Sequence, residues 1–505
     1  MKKTALIVVP LGILVATACA APWYVGVQTE EAMRVEATKL ASSAQFPLNV
    51  SYTHYERGWL SSSAVTRLTL KAEPSIYLDV RHEISQLPDP RAGWVQVHSV
   101  PQWSGPVKQV LDHYFGGQPA FAVDTVVGFD GSRQTVLSSP AFSKPVHDSS
   151  GAKLTWGGLQ GKVMVSADQH LTAVATAPHL GLDGGDNQAG LEKLKLEANW
   201  DVHGTTAEWQ GDTKITLGEF RFAGPRENVA VKDLSGAAYQ RSKGESLLLG
   251  YVVSVGSGSS AKAGEMSETF SNAVLDLEFD QINKKALAKY LDNLGKSEKL
   301  ALAPGAQSQF NAQQMVELGG ELLRGSPVIR LKKLGIETPS GGILAQGTVS
   351  FDGSNLTEIH MSPDLLTRLK AKGNLEIGGN LLRSQMQRKV RPQVEVALTQ
   401  QGAPSTEENI KALAEKLAEQ QLKALTDNGL LRPNGANFTV EAELASGQVL
   451  VNGQPATQLF GGAMTPPVPM EQLKPAAHAE QEAAAQPAEP IMLVRAIPGR
   501  PLPNR

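Results

Sequence analysis

The sequence contains a single cysteine, Cys19, in 505 residues. One cysteine cannot form a disulfide within the chain or supply a cysteine-rich zinc or iron–sulfur site. Aromatic residues make up 6% and charged residues 19%, while hydrophobic residues make up 41%. This composition excludes a disordered acidic polymer and a collagen-like chain. The length allows two to four domains with hydrophobic cores of their own.

The chain also lacks a cluster of basic residues. When the two N-terminal lysines and the residues from 465 onward are set aside, 41 basic and 46 acidic side chains remain. A protein that binds nucleic acid needs concentrated positive charge to displace counterions from the phosphates. The slightly acidic body therefore excludes nucleic acid as a partner.

Motifs of the common catalytic and cofactor sites are absent as well. The ten histidines include no pair three or four residues apart and no H-E-x-x-H motif, which argues against a histidine metal site. We expect these histidines on exposed strands or loops. No G-x-S-x-G elbow occurs, so no nucleophile can be nominated. The sequence predicts no catalytic, metal-binding or cofactor-binding residue.

Two segments imitate functional motifs. Residues 256–261 match G-x-G-x-x-A, but no apolar helical stripe follows to place a pyrophosphate at a helix N-terminus. We interpret this segment as a flexible hairpin loop. Asp276, Glu278 and Asp280 alternate with apolar residues, which predicts the solvated face of a strand rather than a metal or acid–base site.

The N-terminus has the properties of an export segment. Two lysines precede an uncharged stretch over residues 4–27, which ends near Trp23 and Tyr24. About 20 apolar residues match the thickness of a bilayer core, and the aromatic pair matches its interface. We therefore interpret residues 1–27 as an uncleaved signal anchor in the inner membrane. A cleaved signal peptide and a lipoprotein signal with lipidation of Cys19 remain alternatives. All three place the body in the periplasm, because the lysines hold the N-terminus in the cytoplasm.

Most of the body, residues 28–464, alternates between apolar and polar residues with period two. Clear examples lie at 121–129, 193–202, 275–279 and 438–444. Turns are marked at Asp130-Gly131, Asp183-Gly184, Asp352-Gly353 and Asn452-Gly453. Such alternation is typical of antiparallel strands buried on one side. Near Gly218 its phase flips, which predicts a bulge or bend in a long strand.

A few helices interrupt the strands. The sequence predicts helices over 28–45, 281–294, 306–323 and from Ser405 to Gly429. The last begins with a capping box. Strands with few helices and no regular β–α alternation predict an α+β fold of long antiparallel strands in curved sheets.

The body allows for two subdomains that meet near residues 230–270. The final segment, residues 465–505, holds nine of the thirty prolines and an alanine-rich stretch. This composition cannot bury enough apolar surface to fold, so the segment is predicted to be a disordered tail.

One cluster of residues carries a family resemblance. By itself, the segment 50–62 predicts a strand, a turn at Gly58 and a second strand beginning near Ser62, with packed tyrosines and a solvated Arg57. It also resembles V-S-Y-x-x-Y-x-R-G-x-x-S-S, the opening signature of the YdgA-like family of bacterial envelope proteins. The matching residues are Tyr52, Tyr55, Arg57, Gly58, Ser61 and Ser62. The resemblance continues in order through 273–279, 323–329 and 445–453, and spans about residues 1 to 467.

The resemblance implies a location more than an activity. Members are similar to single-span inner-membrane proteins with a periplasmic body, and the family lends no catalytic residues. We therefore expect a non-enzymatic envelope protein whose apolar strand faces shield a lipid or a membrane-protein partner. The alternatives are an exported hydrolase or carbohydrate-active enzyme, and a purely structural, oligomeric interaction module.

Overall fold

The computed structural model describes residues 48–57, 61–70, 73–85, 93, 95–103, 105–146, 151–204, 208–262, 267–289, 319–356, 367–400 and 405–456. The predicted signal anchor, the predicted helix over 28–45 and the predicted tail lie outside these residues. Within these ranges no helix has both the length and the hydropathy needed to span a membrane.

The described residues form one sheet of 22 strands. The first nine are β1 (Leu48–Arg57), β2 (Ser61–Leu70), β3 (Glu73–Ser85), β4 (Val95–Gln102), β5 (Ala122–Val127), β6 (Arg133–Ser139), β7 (Phe142–Pro145), β8 (Lys153–Trp156) and β9 (Leu159–Val165). The next nine are β10 (His170–Asp183), β11 (Gln188–Asp201), β12 (Gln210–Ala223), β13 (Glu227–Lys243), β14 (Ser246–Lys262), β15 (Glu268–Asn283), β16 (Val328–Thr338), β17 (Gly341–Phe351) and β18 (Leu369–Gly378). The last four are β19 (Arg432–Asn434), β20 (Asn437–Ala445), β21 (Gln448–Val451) and β22 (Gln454–Pro455). The helices are α1 (Gly105–Phe115), α2 (Gly379–Gln400) and α3 (Glu407–Asp427), with shorter helical stretches at 284–289 and 319–324.

Strands that follow one another in sequence pair with one another in the sheet, and every pairing is antiparallel. β1 to β6 pair in order, β6 pairs with β9, and β9 pairs with β10. β10 to β18 again pair in order, without a break across 230–270. β18 then pairs with β20, and β20 with β21. The predicted β-rich fold of long antiparallel strands with few helices is confirmed.

Residues that pair directly across antiparallel strands point to the same face of the sheet. One row can be followed through 17 strands, from β1 to β20. It consists of Tyr55, Ala64, His82, Ser99, Val123, Leu137, Gly161, Ala175, Leu196, Ile215, Gly236, Val253, Leu275, Leu334, Ala345, Leu375 and Val440. We call the side that carries this row the apolar face, and the opposite side the polar face.

The apolar face is buried in the N-terminal strands. One cluster there joins residues of β1, β2, β3, β5 and β6, among them Leu68, Val80 and Val123, and a second cluster joins Ala64, Ile84 and their neighbours. Val123 and Ala64 have no exposed surface. The alternation of apolar and polar residues thus produces a closed core in this part of the sheet.

A line of irregular positions crosses the long strands, and we call it the crease. Lys193, Asp233 and Asn272, on alternate strands, have φ values of 57°, 53° and 51°. Gly218 and Gly256 lie on the strands between them: a methyl group on Gly256 would lie 2.9 Å from Cβ of Asp233, and one on Gly218 would lie 3.1 Å from Cβ of Lys193. Across the crease the strands from β10 to β15 keep their pairing register. On these strands two successive residues face the polar side at the crease, so the apolar phase shifts at the same level on each of them. The bend predicted near Gly218 is confirmed.

Several predictions about local structure were wrong in detail. Residues 256–261 lie inside β14 and not in a hairpin loop, because they pair with both neighbouring strands. The helix predicted from 281 begins later, since β15 continues to Asn283 and helix is found at 284–289. Residues 290–294 of that helix and 306–318 of the next lie outside the described residues, and 319–323 are helical. The four predicted turns each lie at the end of a strand.

The helix predicted from Ser405 is confirmed as α3, with one correction. Thr406, rather than Ser405, is the N-cap: its hydroxyl accepts a hydrogen bond from the backbone N–H of Asn409 at 3.3 Å. The helix ends before Gly429, whose φ is 74°. Helices α1 and α2 were not predicted.

Candidate functional site: an open apolar face

Exposure changes along the row that defines the apolar face. In the N-terminal strands Ala64 and Val123 are fully buried. In the middle of the sheet Ile215 is 46%, Val253 43% and Leu334 42% exposed. The same face is therefore a closed core at one end of the molecule and an open surface over the long strands.

Other large apolar side chains on this face confirm that it is open from β10 to β17. Leu182, Phe222, Tyr251, Ile329 and Val349 are all more than a third exposed. Leu247 and Phe351 are the two large apolar side chains of these strands that are buried among the described residues. Both lie near the ends of their strands, at the margin of the face where Trp200 also lies. This margin of the face is therefore covered.

The size of the open face is unusual for a surface in contact with water. From β10 to β17 there are seven strand spacings, which correspond to about 34 Å. The long strands have 14 to 17 residues from β10 to β14, or about 45 to 55 Å. Soluble monomers rarely expose contiguous apolar patches larger than a few hundred Å². The face is therefore a candidate interaction surface.

On the polar face, a charged cluster corrects the prediction of a solvated strand. Glu278 and Asp280 of β15 are 7% and 5% exposed. Arg330 of β16 donates hydrogen bonds to both carboxylates, at 2.7 and 2.9 Å. Lys332 lies 2.5 Å from Glu278, and Lys243 lies 3.1 Å from Asp280. The cations on β13 and β16 make burial of the two carboxylates tolerable.

These contacts fix the charge of the cluster. Burial alone would raise the pKa of Glu278, but hydrogen bonds from Lys332, Arg330 and Tyr239 outweigh it and hold this pKa below its usual value. The pKa of Asp280 is lowered in the same way, against its own burial, by Arg330 and Lys243. Both groups remain ionised and paired, which suits a structural cross-link between strands and not proton transfer.

Tyr239 reaches this cluster from β13 by crossing β14. Its hydroxyl donates to Glu278 at 3.1 Å, and its ring lies over Gly250, where a methyl group would be 2.0 Å from the ring carbon Cζ. Gly250 is therefore required by the close approach of the ring. The carboxylate of Asp276 keeps one buried oxygen without a hydrogen bond among the described residues.

Most of the family signature falls on β1 and β2, which pair with Arg57 opposite Ser62. The two predicted strands are therefore confirmed, and the turn predicted at Gly58 lies outside the described residues. The side chain of Tyr55 packs against the core cluster of Ala64 and Ile84. Ser62 is buried and Ser61 is exposed. Three features fall outside the described part of the molecule: the side chains of Tyr52 and Arg57, all of Gly58, and Cys19.

A polar concavity of about 670 Å³ lies at this end of strands β1 to β5. Its ionisable lining residues are Glu56, Arg81, Glu83, His98 and Asp124. His98 and Asp124 are paired at 2.6 Å. A hydrogen bond from His54 lowers the pKa of Glu56, which is the direction opposite to that required of a general acid.

His82 departs from the prediction that the histidines lie on exposed strands or loops. Its ring is 1% exposed, and its two nitrogens are hydrogen-bonded to the hydroxyls of Ser99 and Thr66, at 2.8 and 3.1 Å. Burial lowers its pKa to about 4. In the described parts of the chain no three histidine, cysteine or acidic residues are grouped so that they could hold a metal ion.

Two features of the sequence bear on relatedness: the signature residues between Tyr52 and Ser62, and the order of the strand-forming segments that follow them. A comparison with curated proteins finds no match. One family profile matches residues 1–458. The match ends shortly before residue 465, where the predicted tail begins. The chain belongs to the family described as bacterial protein of unknown function, DUF945.

Proposed function

We propose that this protein is a non-enzymatic component of the bacterial envelope that holds lipid acyl chains on its open apolar face. The observation that carries the proposal is the exposure gradient along one row of residues. Ala64 is fully buried, whereas Val253 and Leu334 on the same face are more than 40% exposed. Covering these side chains with acyl chains would remove their apolar surface from water, at about 25 cal/mol per Å².

A lipid suits this face better than a protein partner does. Protein interfaces form about one hydrogen bond per 100–200 Å². From β10 to β20 the row contains alanine, leucine, isoleucine, glycine and valine, and no side chain in it can form a hydrogen bond. Hydrocarbon chains require no such groups.

The proposed location is the periplasm, with residues 1–27 as an anchor in the inner membrane. Two lysines followed by an uncharged stretch support this orientation. The narrower YdgA-like resemblance supports it as well. A cleaved signal peptide, or lipidation of Cys19, would keep the body in the same compartment.

An exported hydrolase is less well supported. A glycosidase needs two carboxyl groups across a cleft, one of them with a raised pKa. Glu278, Asp280 and Glu56 all have lowered pKa values, each because of a paired basic residue. These carboxylates therefore argue against an acid catalyst.

The decisive experiment compares two matched positions on opposite faces. Leu334 in β16 is 42% exposed on the apolar face, and Leu344 in β17 is 43% exposed on the polar face. A photo-reactive amino acid is placed at either position in the full chain, and cells grown with labelled phospholipid precursors are irradiated. We expect phospholipid adducts at position 334 and none at position 344.

A second measurement uses the substitutions Leu334→Glu and Leu344→Glu. Lipid bound to the purified full chain is quantified by mass spectrometry. Lipid that surrounds the proposed membrane anchor should be the same in both variants, so a difference between them reports on the two substituted positions. We expect Leu334→Glu alone to lose lipid. Equal lipid in both variants, or protein adducts instead of lipid at position 334, would contradict the proposal, and adducts between two copies would support an oligomeric module.

A further inference from the structure

Helix α2 lies on the apolar side of the sheet. It begins directly after β18, and its residues Leu382 and Met386 pack against the buried cluster that contains Phe438 of β20. Val440 of β20 packs against the same cluster. Phe438 and Val440 belong to the apolar face, since they pair with residues of β18 that point to that side. The start of α2 therefore covers this face at its C-terminal strands.

The same helix is held at a second point, three strands further along. Arg388 donates a hydrogen bond to Glu268 at 2.8 Å. Glu268 is the first residue of β15 and has the same orientation as Phe270, which pairs with Gly258 on the apolar face. From Gly379 to Arg388 the helix advances about 14 Å at 1.5 Å per residue. Three strand spacings from β18 to β15 also amount to about 14 Å.

Together the two contacts define the path of α2. It runs across the strands, along the margin of the open face that carries Phe270, from β18 to β15. The opposite margin is the one covered around Leu247 and Phe351. Of the two margins, the one under α2 is closed by a helix and an ion pair.

Helices α2 and α3 pack against each other along an apolar seam and are joined by two ion pairs. Val390, Val394 and Leu398 pack against Ile410 and Ala414 of α3. Arg383 is paired with Glu419 at 2.8 Å, and Arg391 with Glu407 at 2.6 Å. Pro392 follows the contact with β15, and because proline has no N–H the carbonyl of Arg388 lacks its helical hydrogen bond. The latch position is thus next to a weak point of the helix.

We infer that the α2–α3 hairpin is a lid that controls the entry of lipid to the apolar face, with Arg388–Glu268 as its latch. This inference rests on the proposed function. Both latch side chains are largely exposed, 62% and 67%, and exposed ion pairs contribute little to stability. A weak latch suits a lid that must open to admit lipid, whereas the packing of Leu382 and Met386 keeps the hairpin attached at its base.

A charge swap tests the latch. The full chain is placed in nanodiscs, and these are mixed with vesicles that carry a self-quenched fluorescent phospholipid. The vesicles consist of phosphatidylethanolamine and phosphatidylglycerol in equal parts. Empty nanodiscs give the background. Glu268→Arg and Arg388→Glu should each raise the rate of lipid uptake about two- to fivefold, as expected for loss of an exposed ion pair. The double variant should return to the wild-type rate.

Lys372→Glu is the matched control for the charge swap. It breaks a similarly exposed pair with Glu441, at 3.1 Å on the polar face, and should not change the rate.

A reversible cross-link tests the lid itself. Glu268→Cys and Arg388→Cys are combined and joined with a cleavable bifunctional maleimide, and each single variant controls for reaction at Cys19. We expect uptake to fall at least about tenfold when the lid is closed by the linker and to recover on cleavage. If the cross-linked chain takes up lipid at the same rate before and after the linker is cleaved, the lid is wrong and the proposed function stands. A wild-type chain that takes up no lipid would overturn both the lid and the proposed function.

Discussion

At the scale of single residues, the most unusual group is the buried imidazole of His82. Both ring nitrogens are hydrogen-bonded to hydroxyls on neighbouring strands, Ser99 and Thr66. Neither partner is charged, so nothing compensates the burial of a positive imidazolium, and the pKa falls from 6.5 to about 4. The ring is therefore neutral in the folded protein at neutral pH.

This shift predicts a specific loss of stability in acid. The unfolded chain binds a proton near pH 6.5, while the folded chain does so only near pH 4. The stabilisation is complete above pH 6.5 and is lost as the pH falls to 4, up to about 3 kcal/mol. Amide hydrogen exchange in β2 to β4 at pH 7 and pH 4.5, converted to opening free energies, measures it.

His82→Gln, which retains a polar side chain, is the comparison for that measurement. Between the two pH values the wild type should lose about 2 to 3 kcal/mol more than the variant. The same pH slope in both proteins would show that His82 is not the titrating group. The variant should be less stable at pH 7, because its amide cannot reproduce both hydrogen bonds.

At the scale of elements, the crease bends several strands at one level. Lys193, Asp233 and Asn272 have left-handed backbone conformations, which cost free energy for residues other than glycine. Each strand gains a second residue on the polar face at this level. Because the bends coincide, the apolar face stays continuous from one arm of the strands to the other.

Substitutions at Asp233 test whether the backbone conformation sets the bend. Asp233→Val should destabilise the protein by about 1–3 kcal/mol, since a β-branched residue is strained at φ of 53°. Asp233→Gly should cost little or stabilise, because glycine adopts this conformation freely. Lys232→Val, at the neighbouring position, is the control. Urea unfolding gives the values, and similar losses for Asp233→Val and Lys232→Val would be evidence against a conformational origin.

The predictability of each element from sequence depends on the range of the interactions that form it. The phase flip at Gly218 is local and was predictable. The α2 helix has an apolar stripe with a spacing of four from Leu382 to Leu398, but Pro392 and the basic residues around it hide the pattern. The burial of Asp280 could not be predicted, because its partners Arg330 and Lys243 lie 50 and 37 residues away.

At the scale of the whole molecule, one sheet combines a closed core with an open surface. Period-two alternation predicts one apolar face for every strand. It therefore places Val123 and Val253 on an apolar face alike, although Val123 is buried and Val253 is exposed. Whether that face becomes enclosed depends on how the sheet curls and on what covers it. These are long-range properties, and for this reason the sequence left open whether the apolar faces form a core or a groove.

The exposure gradient predicts a gradient of local stability. Amide hydrogens of β2 to β5 should exchange slowest, and those of β12 to β16 faster, because the latter strands bury fewer apolar contacts. Bound phospholipid should slow exchange in β12 to β16 and leave β2 to β5 unchanged. Hydrogen exchange mass spectrometry of the full chain with and without lipid measures both effects. Uniform protection along the sheet without lipid would contradict the prediction.

The order of pairing has a consequence for how such a chain can change in length. Since nearly every strand pairs with its neighbours in sequence, a hairpin inserted between two strands would displace the later strands without breaking any other contact. Each inserted hairpin would lengthen the sheet by two strand spacings, or about 10 Å. Local pairing of this kind also favours folding hairpin by hairpin. The length of the apolar surface is thus a modular quantity, which duplication or loss of single hairpins can adjust.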